Sequence, residues 1–152
     1  MTPRTSQMSP RVKKANSKKI YVTFFKVANA REKQVKIFEI AHHYFTKGQA
    51  LLFFSKNPVA LDYTSLLLWS YSKNDFLPHT KDLENCDNLL YLGQTAPKRE
   101  THAAFNLEPS PIDLESVTTI YEFDDSSTAE KASFAKKRYS YYLEKGCAIQ
   151  LQ

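Results

Sequence analysis

Glycine is scarce in this chain of 152 residues, and the scarcity excludes several kinds of nucleotide site. The chain contains three glycines, Gly48, Gly93 and Gly146. A dinucleotide-binding enzyme needs glycines where its first strand meets its first helix, because the backbone must approach a pyrophosphate there. That turn here reads "FFKVANARE", so neither a G-x-G-x-x-G motif nor a P-loop can form.

Cysteines and long apolar runs are also few. Cys86 and Cys147 lie far apart in sequence, which favours two reduced thiols over a disulfide. No apolar run is long enough to span a bilayer, and no signal peptide pattern precedes the body of the chain. We therefore expect a cytoplasmic protein without a membrane contact.

Acidic residues are missing from the first 19 positions, which hold six basic ones. These are Arg4, Arg11, Lys13, Lys14, Lys18 and Lys19. They account for the net charge of +5, because the rest of the chain has 15 basic residues against 16 acidic ones. Residues 1–19 are rich in Ser, Thr and Pro and lack periodicity, so they are predicted to be a disordered basic arm. Such an arm contacts nucleic acid electrostatically or serves as a solubilising tail.

The domain that follows, residues 20–152, begins with two strand–helix units. The segments "IYVTFF" (20–25) and "QALLFFS" (49–55) read as buried strands. Between them apolar residues recur at helical spacing, and Gly48 stands where a helix ends. Asn57 and Pro58 then supply an N-cap and a first-turn proline for a second helix, which runs towards Trp69.

The remaining segments complete an α/β pattern. Four apolar runs predict strands: "NLLYLG" (88–93), "AAFNL" (103–107), "TTIYEF" (118–123) and "CAIQL" (147–151). Residues 126–145 predict a helix, with Ser127 and Glu130 spaced as a capping box. Strands that alternate with helices imply a mostly parallel sheet with helices on both faces. We predict a three-layer αβα fold, Rossmann-like but without a phosphate-binding glycine loop.

No group of residues indicates catalysis, a metal site or a cofactor. His42 and His43 are adjacent on a helix, point about 100° apart and cannot share a metal ion well. Asp124 and Asp125 precede a helix, where acidic residues complement the helix dipole. The sequence shows neither a serine nucleophile elbow nor a Cys–His pair. We therefore predict a protein that is not an enzyme.

Two aromatic segments are candidate interaction surfaces. The stretch "LLLWSYSKNDFLPHT" (66–80) ends a helix at Trp69, and Pro78 holds the residues after Phe76 extended. These aromatic residues either cap the core or form a partner site, since tryptophan is common at interface hot spots.

The last helix combines lysines with tyrosines. Ala132, Lys136, Tyr139 and Leu143 fall on one stripe by helical spacing. Such a stripe is either a solvated basic face or a groove for a short acidic peptide that ends in an aromatic residue and a free carboxylate.

These segments resemble the chi subunit of bacterial DNA polymerase III. The stretch "FEIAHHYFTKGQALLFFSKNPVALDYTSLLLW" is similar to the family's first helix, second strand and second helix. Trp69 followed by Phe76-x-Pro78-His79 is similar to the family signature W…F-[VL]-P-H. The residues Arg138-Tyr139-x-x-Tyr142-x-x-x-Gly146 are similar to R-Y-x-x-Y-x-x-x-G. The resemblance covers residues 20–151 in the same order.

The resemblance implies a non-catalytic accessory subunit of the clamp-loader assembly that binds two proteins. The psi subunit docks on the tryptophan surface in the family, and a helicase is a secondary candidate for the same surface. The residues implied for psi binding are Trp69, Phe76, Leu77, Pro78 and His79. Contact with DNA is then indirect.

The second implied partner is the acidic C-terminal tail of single-stranded DNA-binding protein, which ends in Pro-Phe. The residues implied for this tail are Lys136, Tyr139, Gly146, Phe123, Leu151 and Lys131. Lys136 stands where the family has an arginine that meets the terminal carboxylate, and a lysine cannot form the bidentate pair. Ala132 stands where the family has another basic residue, and Lys131 and Lys137 are neighbours that face differently on the helix.

Two functions of other classes remain as alternatives. One is a nucleotide-using enzyme on a degenerate Rossmann-like scaffold, which the missing glycines disfavour. The other is direct binding of nucleic acid through the basic arm and the last helix, which predicts a steep dependence of affinity on salt.

Overall fold

The computed structural model describes residues 18–72, 76–84, 88–96, 101–113 and 115–152. The predicted basic arm lies outside these residues except for Lys18 and Lys19, and so does Cys86. Within the described ranges the strands are β1 (Tyr21–Val27), β2 (Leu51–Phe54), β3 (His79–Thr80), β4 (Leu90–Gly93), β5 (Ala103–Asn106), β6 (Thr119–Asp125) and β7 (Ala148–Leu151). The helices are α1 (Ala30–Lys47), α2 (Pro58–Ser70) and α3 (Ala129–Glu144).

The described strands form one seven-stranded sheet in the order β3-β4-β2-β5-β6-β1-β7. Every pair of neighbouring strands is parallel. The two-residue strand β3 was not predicted, because a run of two residues carries no periodicity. The predicted α/β class and parallel sheet are confirmed.

The helices lie on both faces of the sheet. The alternation of β1 directs Phe25 and Val27 to a core shared with α1 and α2, and directs Val22 and Phe24 to a core shared with Tyr142 of α3. Helices α1 and α2 therefore cover one face of the sheet, and α3 covers the other. The predicted three-layer arrangement is confirmed.

Capping residues determine where the helices begin and end, and one N-cap differs from the prediction. Gly48 ends α1 in the left-handed region at φ 69°, and the Asn57 side chain accepts the Val59 N–H at 2.9 Å to begin α2. The predicted N-cap of the last helix, Ser127, was wrong by one residue. Thr128 is the N-cap, because its hydroxyl accepts the Lys131 N–H at 3.1 Å.

The turn between β1 and α1 is occupied by the protein's own side chains. Asn29 accepts the Glu32 N–H at 2.9 Å, and the Glu32 carboxylate accepts the Ala28 N–H at 2.8 Å. This reciprocal capping places a negative charge where a Rossmann-like nucleotide site would bind a phosphate. The missing glycines are thus accompanied by a turn that repels an anion.

Candidate functional site

An exposed aromatic pair lies at the β3 edge of the sheet. Trp69 at the end of α2 is 48% exposed, and Phe76 after it is 58% exposed. Their ring centroids are 5.4 Å apart. Two large aromatic rings in contact are unusual on a surface that faces water, and they are typical of a binding site.

The strip after Phe76 alternates between the surface and the interior. Leu77 is 2% exposed and belongs to the core cluster beneath α1 and α2, and its N–H donates to the Leu68 carbonyl at 2.9 Å. His79 is also buried, whereas Pro78 is half-buried. Of the five residues predicted for psi binding, Trp69 and Phe76 form the open surface, and Leu77 and His79 anchor it from below.

His79 supports the tryptophan ring. Its imidazole lies 4.7 Å from the Trp69 ring, between centroids. Nδ1 donates to the Leu77 carbonyl at 2.7 Å, so in the neutral ring Nε2 accepts from the Ser65 hydroxyl, also at 2.7 Å. Burial lowers the pKa of His79 and outweighs the opposing hydrogen bond to Leu77. The neutral ring is thereby fixed in one orientation beneath Trp69.

A second surface lies at the opposite edge of the sheet, between α3 and β7. Tyr139 on α3 is exposed, and its ring centroid lies 5.8 Å from that of Phe24 on β1. Leu151 on β7 is in register with Phe24, so it shares that face of the sheet and is exposed. Gly146 follows α3 with φ 79°, which lets the chain turn directly into β7. Lys136 is exposed one turn before Tyr139.

The six residues predicted for tail binding do not all meet there. Phe123 faces the opposite side of the sheet, where it packs in the core shared with α1 and α2. Lys131 lies 4.0 Å from the Asp125 carboxylate, between Nζ and Oδ2. The structure therefore groups Lys136, Tyr139, Gly146 and Leu151 and separates Phe123 and Lys131 from them. Beneath Tyr139 lies the buried Phe24, which supports the Tyr139 ring and which the alternation of β1 could have indicated.

Phe123 and Lys131 instead line a cavity of about 490 Å³ at the carboxyl edge of the sheet. Its walls come from α1, α2, the ends of β5 and β6, and the first turns of α3. Lys33 and Lys131 both face Asp125 in this wall. Burial by itself raises the pKa of Asp125. Hydrogen bonds from Lys33 and Ser127 have the larger combined effect and bring the pKa below its usual value, to about 2. The cations of the cavity are therefore already paired with an acid.

A buried ion pair holds α3 on the sheet. Arg138 Nε donates to the Glu122 carboxylate at 2.8 Å, and Asn106 Nδ2 and the Tyr142 hydroxyl donate to the same group at 2.7 and 2.5 Å. The Arg138 guanidinium also donates to the carbonyls of Pro109 and Phe123, at 3.0 and 2.7 Å. Arg138 and Tyr142, which the sequence motif singles out, thus position the helix that carries Tyr139.

The described residues were compared with what a metal site or a membrane span requires. They contain no group of three or more His, Cys, Asp or Glu side chains that could hold a metal ion. None of the described helices is both long enough and apolar enough to cross a bilayer. Cys147 is a free thiol.

The chain matches the model of a known protein family. The family model described as DNA polymerase III chi subunit, HolC, matches residues 21–150. A search of curated proteins finds no match to the chain. The family match spans every strand and helix described above except the last residue of β7.

Proposed function

The chain belongs to the DNA polymerase III chi subunit family, and from that premise we propose that it joins a psi-type subunit to the C-terminal tail of single-stranded DNA-binding protein. It acts as an accessory subunit by protein contact alone. In this role it links the clamp loader to single-stranded DNA that the binding protein already covers. A helicase is a secondary candidate for the psi surface.

The observation that carries this proposal is the placement of the two surfaces. Trp69 rests against His79 on the edge strand β3, and Leu151 lies on the opposite edge strand β7. Six gaps between neighbouring strands, each of about 4.8 Å, separate these edges by roughly 29 Å. Two proteins can therefore bind at once, which a bridging subunit requires.

The surface at β3 suits a protein partner. Trp69 and Phe76 offer flat apolar rings. The buried Leu77 and the hydrogen-bonded His79 support these rings from the interior. A preformed aromatic surface loses little conformational freedom on binding.

The surface at β7 suits an acidic peptide that ends in an aromatic residue. Tyr139 and Leu151 supply apolar contact above the buried Phe24, and Lys136 supplies a positive charge one turn away. Lys136 meets a terminal carboxylate as a point charge. We therefore expect the tail to bind through charge and ring contact together.

Titration of a labelled acidic peptide that ends in Pro-Phe-COOH, followed by fluorescence anisotropy, tests the tail surface. We expect binding by the wild type that is weakened at least about tenfold in Lys136→Ala and with a C-terminally amidated peptide. Lys131→Ala is the matched control, because it removes a lysine from the same helix at the carboxyl-edge cavity. Equal losses in both lysine variants would assign the effect to net charge and reject a specific role for Lys136.

A further inference from the structure

Tyr21, the first residue of β1, is exposed on the face of the sheet that α1 and α2 cover elsewhere. Its side chain is 56% exposed. Phe25 and Val27 point to the same side by strand alternation and belong to the core, whereas Tyr21 lies beyond that core. Its partners in register on the neighbouring strands are small, Thr119 on β6 and Ala148 on β7. The ring is therefore flanked by small side chains and is accessible to a flat ligand.

Two lysines directly before β1 carry charges that no described acid pairs with. Lys18 Nζ donates to the Glu115 carbonyl at 2.6 Å, and Lys19 Nζ donates to the Gly146 carbonyl at 3.4 Å. A carbonyl is a neutral acceptor, so both ammonium groups keep their full charge. Glu115 precedes β6 and Gly146 precedes β7, which are the two neighbours of β1 in the sheet. A positive potential therefore lies on both sides of the strand that begins with Tyr21.

The sequence before these lysines adds four further basic residues and no acid. They are Arg4, Arg11, Lys13 and Lys14, and they lie outside the described residues. All six charges of the basic arm are thus attached next to Tyr21, whereas residues 20–152 hold 15 basic residues against 16 acidic ones. A basic run attached to a nearly neutral domain attracts a polyanion.

Single-stranded DNA is the polyanion whose chemistry matches this combination. Proteins bind single strands by placing basic groups on the phosphates and by stacking bases on exposed aromatic rings. An acidic peptide would use the charges but would leave the open ring unexplained. The chain also belongs to a family of DNA polymerase subunits, and a polymerase works beside a single-stranded template.

We propose that the basic arm and the Tyr21 ring together bind single-stranded DNA, with the arm on the phosphates and one base stacked on the ring. This function is additional to the bridging function proposed above, which uses protein contacts alone. The two are compatible in space. By strand alternation Tyr21 and Phe24 lie on opposite faces of the sheet, and Tyr139 packs on Phe24. DNA at Tyr21 and a peptide at Tyr139 therefore occupy different faces.

Fluorescence anisotropy of a labelled oligothymidylate at several salt concentrations tests the charge contacts. The logarithm of affinity should fall with that of salt concentration at a slope of up to about −4, since each of six basic residues contributes about −0.7. Lys13→Gln/Lys14→Gln should make the slope shallower by about 1.4. Lys56→Gln/Lys81→Gln is the matched control, because it removes the same charge after β2 and β3, at the carboxyl edge of the sheet. Equal changes of slope in both variants would assign the effect to net charge and reject the arm.

Tyr21→Thr tests the ring separately from the charge. The loss of one base stack should weaken binding by about fivefold or more while the salt slope stays unchanged. Tyr21→Phe keeps the aromatic face and should bind as the wild type does. Tyr63→Thr is the matched control, because Tyr63 is 48% exposed on α2 and lies at the carboxyl-edge cavity. Thermal unfolding checks that each variant keeps its fold.

Other outcomes would overturn the inference. Wild-type affinity in Tyr21→Thr would reject the ring contact. Equal affinity for double-stranded DNA, which offers no open base, or equally effective competition by polyglutamate would assign the arm to polyanions in general. No binding of oligothymidylate at low salt would reject the site outright. None of these results alters the binding of the Pro-Phe peptide, so failure here is distinguishable from failure of the bridging function.

Discussion

Glu122 and Arg138 are the residues on which the packing of α3 depends most. The Glu122 carboxyl is fully buried, and burial raises its pKa to about 7 in spite of the Arg138 charge and three hydrogen bonds. A buried carboxylate is tolerated here because donors from β5 and α3 converge on it.

Arg138→Leu is expected to destabilise the protein by about 3–5 kcal/mol, because it leaves Glu122 buried without its cation. Chemical denaturation measures the loss. The double variant Glu122→Gln/Arg138→Leu should recover part of it, since the amide carries no charge. A double variant no more stable than Arg138→Leu would show that the loss arises from packing alone.

The same raised pKa predicts how stability changes with pH. A carboxyl group whose pKa is higher in the folded state favours folding below its unfolded pKa, and the advantage declines as pH rises towards the folded pKa. We expect the Glu122 contribution to fall between about pH 4.5 and pH 7. Denaturation of wild type and Glu122→Gln at several pH values measures it, and a difference that is constant across this window would refute it.

The pKa of Asp125 is lowered where that of Glu122 is raised, so its effect on stability changes with pH in the opposite direction. Its pKa falls to about 2, so it stabilises the folded state above pH 3.8, and this stabilisation declines as pH falls towards 2. Asp125→Asn should lower stability at neutral pH by about 2 kcal/mol and flatten the acid limb of the stability curve. Asp124→Asn is the control, because it leaves the contacts of Lys33 and Ser127 with Asp125 intact.

At the scale of elements, the start of α3 depends on a single side chain. The Thr128 hydroxyl accepts the Lys131 N–H, which would otherwise lack a partner in the helix. Since α3 carries Lys136 and Tyr139, its stability affects the proposed tail surface directly.

Thr128→Ala is expected to lower the free energy of unfolding by about 1 kcal/mol, because the first turn of α3 loses its cap. Thr128→Ser keeps the acceptor oxygen and should remain near wild type. Thermal or urea unfolding of both variants measures the difference. If serine and alanine were equally destabilising, the methyl group of Thr128 rather than its hydroxyl would be responsible.

The elements also show where sequence patterns suffice. Gly48 and Asn57 fixed the ends of α1 and α2 correctly, because caps act through neighbouring backbone groups. The start of α3 was off by one residue, since serine and threonine at adjacent positions are equivalent N-caps by sequence. Phe123, predicted beside Tyr139, lies on the other face of the sheet, because a pattern of strand residues does not tell which face each helix covers.

At the scale of the whole molecule, the sheet separates the two proposed surfaces. One lies at β3 and the other at β7, with five strands between them. Neither surface shares a described side chain with the other. Nothing in this arrangement requires one partner to leave before the other binds.

We therefore expect the two partners to bind independently. The affinity for the Pro-Phe peptide, measured by anisotropy, should change less than about twofold when the psi subunit is saturating, which is under 0.5 kcal/mol of coupling. Trp69→Ala should leave peptide affinity unchanged. Mutual exclusion of the two partners would contradict the arrangement at opposite edges.

Local chemistry in the sequence determined six of the seven described strands, the helices, the caps at Gly48 and Asn57 and the absence of a phosphate loop, because each depends on residues close together in the chain. The motifs around Trp69 and Arg138 also indicated the family. Only the tertiary structure decided that Leu77 lies inside while Phe76 lies outside, that Arg138 is buried against Glu122, and that Phe123 and Tyr139 lie on opposite faces of the sheet. These properties depend on which elements pack against each face of the sheet, and that packing joins residues far apart in sequence.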